Sequence, residues 1–149
     1  MSQQAAAGEK GERRTAVVAG FGVPGRAAAE ALSERGFEVT VIELNVQTVV
    51  RARQFPMVPG DASDPQVLRS AGAERASVIV VAVPSDPVAI QITRAARALN
   101  PTARIITRCH YISTGLECRR LGADEVLVAE QVLAETIGRV LRDPVAPPA

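Results

Sequence analysis

Six short apolar runs, at 16–19, 39–42, 57–58, 78–83, 104–107 and 125–128, alternate along the chain with stretches that carry helix signals. Most runs are continuous Val and Ile instead of a polar/apolar alternation, which predicts strands buried on both faces of a parallel sheet. Parallel neighbours need crossover connections, and the intervening stretches supply them. Pro24 stands where a first-turn proline is tolerated, 26–35 follows, and Gly36 ends that helix. Asn45 caps 46–53, Asp64-Pro65 opens a short helix that stops at Gly72, and Asp86-Pro87 opens one that runs to Leu99. Residues 113–121 end at Gly122, and 130–142 close the series. The pattern predicts an α/β protein with a doubly wound parallel sheet of six strands and helices on both faces. Right-handed crossovers put every strand's carboxyl end on one edge, where ligands bind in such sheets.

Residues 1–14 carry Gln, Ala, Gly and charge without periodicity and read as a disordered tail, and 143–149 read as a linker or frayed end. One domain, 15–142, lies between them. With 47% hydrophobic residues and 22% charged, the composition is that of a soluble globular domain. The net charge of +1 and the absence of a basic stripe argue against a nucleic-acid partner. Cys109 and Cys118 form no C-x-x-C, and His110 is the single histidine, so neither a disulfide framework nor a zinc site is expected. Cys118, beside Leu116 and Leu121, reads as a small buried residue. Neighbouring strand residues face opposite ways, so Cys109 and His110 do not chelate together, and His110 is expected at the surface or supporting a loop. No apolar run approaches the roughly 18 residues of a membrane span, so no direct membrane insertion is expected and the domain reads as cytoplasmic.

The first strand breaks into Gly20-Phe21-Gly22-Val23-Pro24-Gly25, a G-x-G-x-x-G between a strand and a helix. Gly20 allows the tight turn, Gly22 the close approach of a pyrophosphate, and Gly25 close helix–strand packing. The helix N-terminus offers free N–H groups and the positive end of a dipole. An acidic residue is expected about 20 positions on, at the end of the second strand, and Glu43 is there. A carboxylate at that place accepts ribose hydroxyls and repels a 2′-phosphate, which favours NAD(H) or adenine nucleotides over NADP(H).

GDASDPQVLRSAGAERASVIVVAV (60–83) and LGADEVLVAEQVLAETI (121–137) are more specific than the glycines. With the glycine turn they resemble the RCK N-terminal, or TrkA-N-like, domains of potassium transport regulators, over residues 15–141. The resemblance implies a Rossmann-like domain that binds NAD(H), ATP, ADP or AMP, and whose bound nucleotide biases a gate in a membrane cation channel or transporter. It also implies a placement at the inner face of the cell membrane through that partner. By the same resemblance, Gly20 to Gly25 hold phosphates, Glu43 the ribose, Asp61 and Ala62 flank adenine, Val83 and Pro84 line the cleft floor, and Arg108 faces the phosphates or second ribose. Two plainer roles stay open: Asp61 as the cap of its turn, and Arg108 as the ion-pair partner of Asp61 or Glu43. Many family members carry Arg directly after the second glycine; Val23 stands there, which argues against ATP sensing, and Arg26 offers a partial substitute.

A small NAD-dependent oxidoreductase shares the fold but needs a positioned acid or base. The ordered chain has one His, one Tyr (Tyr111) and no lysine beyond Lys10 in the tail, which disfavours an enzyme. A dimeric scaffold with an unused cleft is disfavoured by the intact glycine turn and Glu43. Along 87–99, Val88, Ile92, Ala95 and Leu99 form a stripe expected to cover the sheet, with Ile90, Ala89, Thr93 and Ala96 as a second apolar face. A homodimer through helices 87–99 and 113–121 follows from that second face and from the resemblance.

Overall fold

The computed structural model describes residues 13–143. Strands β1 (Thr15–Ala19), β2 (Glu38–Glu43), β3 (Met57–Pro59), β4 (Val78–Val81), β5 (Arg104–Cys109) and β6 (Glu125–Val128) alternate with six helices. These are α1 (Val23–Glu34), α2 (Val46–Arg51), α3 (Pro65–Ser70), α4 (Asp86–Leu99), α5 (Ile112–Arg120) and α6 (Ala129–Arg142). The strands form one parallel sheet in the order β3-β2-β1-β4-β5-β6. The order reverses between β1 and β4, so the chain leaves those two neighbours in opposite directions and opens a crevice at their carboxyl ends. The fold is the expected Rossmann-like one.

Side chains alternate across the sheet and feed two cores. Val17, Ala19, Ile42, Ile79, Val81 and Ile105 face one side, where Leu68 of α3, Ala89, Ile92 and Ala96 of α4, and Cys118 of α5 close over them. Ala16, Val18, Val39, Val41 and Val80 face the other, beneath Ala29 of α1 and beside Phe37. The first side spans the sheet; the second is covered chiefly over β1, β2 and β4. Leu127 of β6 stays half exposed, and α6 buries none of its residues.

The α4 stripe differs from the sequence expectation. Ala89, Ile92, Thr93 and Ala96 are the fully buried residues, whereas Val88, Ile90, Ala95 and Leu99 are half-buried along its margins. Small Ala89 and Ala96 bring the helix down onto β4 and β5, and larger residues then flank the contact. The Thr93 hydroxyl sits 2.8 Å from that of Thr107 and donates to the Ala89 carbonyl or to Thr107. The face assigned to a partner helix therefore lies against the protein's own sheet.

Element ends shift for local reasons. α1 starts at Val23 instead of 26, because Pro24 fits the first turn without needing its missing N–H. β4 stops at Val81, since the following Val83-Pro84 step cannot continue a ladder. Arg13 and Arg14, assigned to the tail, are already tied down: Arg13 pairs with Glu38 at 2.7 Å, and the Glu38 N–H donates to the Arg14 carbonyl. The rest of the proposed tail, 1–12, and the end at 144–149 lie outside the described residues. Both cysteines are free and buried. Burial, with Asp86 nearby, pushes the Cys109 thiol up to about 11.

Candidate functional site

A cleft of about 690 Å³ opens at the carboxyl edge of the sheet, at the β1/β4 reversal. The glycine turn forms one wall. Gly20 has φ +97°, and its N–H donates to the Ile42 carbonyl at 2.8 Å, pinning the turn to the end of β2. A Cβ on Gly20 would meet the Ala82 carbonyl oxygen at 2.8 Å, and one on Gly25 would sit 1.9 Å from the Gly20 carbonyl oxygen. Gly25 is thus the packing glycine, lies beneath the turn, and does not line the cleft. Gly22 is the open one: a Cβ there finds nothing nearer than Pro24 Cδ at 4.0 Å and points into free space.

Gly22 is also the N-cap of α1, and no side chain caps that helix. The first helical bond runs from the Arg26 N–H to the Gly22 carbonyl at 2.9 Å, so the earlier N–H groups have no partner within the helix. Together with the helix dipole they make a seat for an anion.

Glu43 ends β2 and turns into the cleft. Its Oε2 accepts the Phe21 N–H at 2.8 Å and its Oε1 the Asn45 N–H at 3.3 Å, so the carboxylate is oriented by backbone on both sides. Each carboxylate oxygen has two lone pairs, and acceptor capacity remains for a ligand hydroxyl. Phe21 is buried, its ring edge-on to Phe55 at 6.0 Å. Val23 is 87% exposed at the mouth. The proposed substitute cation, Arg26, lies with its guanidinium over the Phe21 ring at 5.2 Å and is not part of the lining.

Asp61 and Ala62, after β3, line the same cleft, Ala62 buried and Asp61 exposed. Asp61 Oδ1 accepts both the Ser63 hydroxyl at 2.7 Å and the Ser63 N–H at 2.9 Å, which hold its carboxyl below the usual range. The turn-capping role is therefore present. Val83 and Pro84 border the crevice beyond β4, and Arg108 closes the far wall.

Arg108 does not pair with Asp61 or Glu43. Its Nη1 donates to the Val83 carbonyl at 3.2 Å, and its Nη2 lies 3.3 Å from His110 Nε2. His110 Nδ1 in turn lies 2.9 Å from Asp86 Oδ1. Arg108 was expected at the cleft but this network was not, because Asp86 and His110 lie 24 residues apart and carry no shared motif. Ile42, Leu44, Asn45, Gly60, Ala82, Ser85, Val88 and Ile92, none of them expected from the sequence, complete the lining. Of these, Ser85 had a readable signal as the cap before Asp86-Pro87. Among the described residues there is no His/Cys/Asp/Glu cluster able to hold a metal ion, and no helix long and apolar enough to cross a membrane.

Fold and cleft together define a doubly wound domain with an uncapped helix N-terminus, a fixed carboxylate and an arginine around one switch-point crevice. The TrkA-N domain matches residues 16–129, and the chain belongs to that family. It is 30% identical over 133 residues to the inner membrane protein YbaL of Escherichia coli K12, covering 88% of this chain and 24% of YbaL. It is 29% identical over 115 residues to the glutathione-regulated potassium-efflux system protein KefC of Klebsiella pneumoniae, covering 76% of this chain and 18% of KefC. The chain thus spans a quarter or less of these relatives. Among solved structures, the TrkA-N domain of E. coli YbaL superposes with a TM-score of 0.81 at 28% identity, covering 89% of this chain and 99% of that one. The GsuK channel bound to NAD superposes with a TM-score of 0.78 at 32% identity, covering 87% and 23%. GsuK bound to ADP gives a TM-score of 0.77 at 31% identity, covering 87% and 34%.

Proposed function

We propose that this chain is a regulatory nucleotide-binding domain that controls potassium or related cation transport, with NAD(H) or an adenine nucleotide in the switch-point cleft. The observation that carries the reading is the uncapped N-terminus of α1 facing the same crevice as the backbone-oriented carboxylate of Glu43. A nucleotide presents those two chemistries a short distance apart: an anionic diphosphate and the vicinal hydroxyls of a ribose. The NAD- and ADP-bound GsuK structures support the assignment, and KefC supports the link to potassium. In this reading the domain lies on the cytoplasmic side of a membrane channel or transporter. Gly20 to Pro24 seat the phosphates, with Gly25 shaping the turn from beneath. Asp61 and Ala62 flank the base, and Val83, Pro84 and Arg108 border the far half of the ligand.

Val23 leaves no cation directly after the second glycine, so NAD(H), ADP and AMP are favoured over ATP. The titratable side chains of the lining are Glu43, Asp61 and Arg108, two of them held by hydrogen bonds as acceptors. This suits binding better than turnover, and the domain acts as a sensor, not an oxidoreductase. Two copies associate through the exposed face of α5. The surface that suits this is Ile112 and Leu116, exposed at 50% and 66% and one helical turn apart, and not the sheet-packed face of α4.

Isothermal titration of the purified domain with NAD+, ADP and ATP tests the reading. Saturable binding of one NAD+ or ADP per chain, weakened in Glu43→Ala, is the expected result. Failure of all three nucleotides to bind would overturn it.

A further inference from the structure

Arg108 stands on the wall between two clefts. It lines the switch-point cleft and also an apolar cleft of about 300 Å³ on the α1 side of the sheet, beside Leu32, Ile106 and Leu127. Among the described residues no carboxylate forms an ion pair with it. A histidine nitrogen and a carbonyl hold it in place.

The protonation pattern of that histidine follows from its partners. Asp86 Oδ1 lies 2.9 Å from His110 Nδ1, and an ionised carboxylate only accepts, so Nδ1 carries a hydrogen. In the neutral ring Nε2 is then a lone pair, free to accept from Arg108 Nη2 at 3.3 Å. Asp86 is itself fixed. Burial pushes its carboxyl up, but hydrogen bonds from the Thr114 hydroxyl, the His110 N–H and imidazole, and the Tyr111 N–H outweigh burial and hold it below the usual range.

From this arrangement we infer that His110, oriented by Asp86, is a positioning residue for Arg108 and makes the anion affinity of the cleft depend on pH. The neutral imidazole ties the guanidinium back against the Val83 carbonyl. A proton on Nε2 removes that acceptor and sets two cations side by side, which frees Arg108 to swing toward a bound phosphate. The imidazolium adds its own positive charge at the same edge of the sheet. Both effects act in one direction: anions bind more tightly as pH falls.

The charged and titratable groups around the imidazole are few. α4 presents Asp86 and β5 presents Arg108, while the Tyr111 ring lies 6.1 Å away at the head of α5. The Cys109 thiol donates to the Tyr111 carbonyl and is neutral across the range that matters. Histidine is the side chain whose charge ordinarily changes between pH 5 and 8, which sets the range over which binding is to be measured.

The inference rests on the nucleotide reading above, and NAD+ is the probe because its diphosphate does not titrate between pH 6 and 8. Isothermal titration of the whole chain at pH 6, 7 and 8 is expected to give binding about five- to tenfold tighter at pH 6 than at pH 8, within the usual span of coupling between two sites. His110→Gln is expected to flatten that profile near the wild-type value at pH 8, and Arg108→Gln to weaken binding and flatten it as well. His110 is the single histidine of the sequence, so its imidazole nitrogen resonances can be read without ambiguity, and the Nδ1–H tautomer is expected at pH 8. A flat or reversed wild-type profile, a His110→Gln protein that keeps the wild-type slope, or an Nε2–H tautomer would each overturn the inference while leaving nucleotide binding intact. Absence of NAD+ binding at every pH would overturn both.

Discussion

The two walls of the cleft are built by different means. The wall from β1, β2 and β3 is set by backbone groups: a turn with φ +97° at Gly20, an uncapped helix end at Gly22, and two N–H groups that orient the Glu43 carboxylate. The wall from β4 and β5 is made of side chains relayed across the fold, Asp86 to His110 to Arg108 to the Val83 carbonyl. Groups held by backbone N–H donors are fixed in place, whereas a relay of side chains can exchange its hydrogen-bond partners. If the cleft holds a nucleotide as proposed, rigid recognition and adjustable affinity fall on its opposite sides.

The contrast is sharpest between two glycines of the same turn. Gly25→Ala puts a methyl 1.9 Å from the Gly20 carbonyl oxygen, a backbone clash with no flexible side chain to yield. It is expected to cost more than about 4 kcal/mol, the range kept for severe core lesions, and to abolish soluble folding or lower the urea midpoint drastically. Gly22→Val should do the reverse, because its Cβ meets only open space and its φ of −76° suits any residue. Nucleotide binding is expected to fall at least about 100-fold with the melting temperature shifted by only a few degrees. Equal stability losses in the two variants would erase the distinction between packing glycine and binding glycine.

Glu43→Ala tests the carboxylate of the same wall. Binding of NAD+ and AMP should weaken by about 1.5–3 kcal/mol, the scale of hydrogen bonds to a charged group. Unchanged calorimetric affinity for both ligands would remove Glu43 from the site. Outside the cleft, Leu116→Asp should shift a dimer toward monomer in light scattering coupled to size exclusion, with nucleotide affinity retained. A wild-type monomer at tens of micromolar would contradict the α5 contact.

The smallest effect belongs to the side-chain wall. The Asp86 carboxyl is held below its ordinary range in the folded protein, so its stabilisation is present above the unfolded value and is lost as pH falls through the folded one. Asp86→Asn should therefore cost about 1 kcal/mol at pH 7 in a urea melt, and the difference from wild type should shrink toward pH 3. A difference that grows on acidification would reverse the sign and contradict the hydrogen-bond account of Asp86.

These walls also differed in what the sequence revealed. The glycine spacing, Glu43 and Asp61 were readable because each meets a local backbone requirement: a tight turn, a strand end, a capped turn. The β-α alternation was readable for the same reason, since continuous Val and Ile runs demand burial on both sides. Arg108 was readable only by resemblance, and its partners Asp86 and His110 were not, since their pairing depends on how β4 and β5 bring two loops together. The face of α4 was misjudged because Ala and Thr are small in any context. Whether small residues admit a neighbouring helix or seat the helix on its own sheet is decided by the sheet, and here Ala89, Thr93 and Ala96 seat it.

Titration of NAD+ into the wild type and Gly22→Val side by side tests whether a nucleotide's phosphates sit at the open turn of Gly22. A saturable isotherm near one NAD+ per chain is expected for the wild type, with no measurable heat for a folded Gly22→Val protein. Equal binding by the two proteins would contradict that placement.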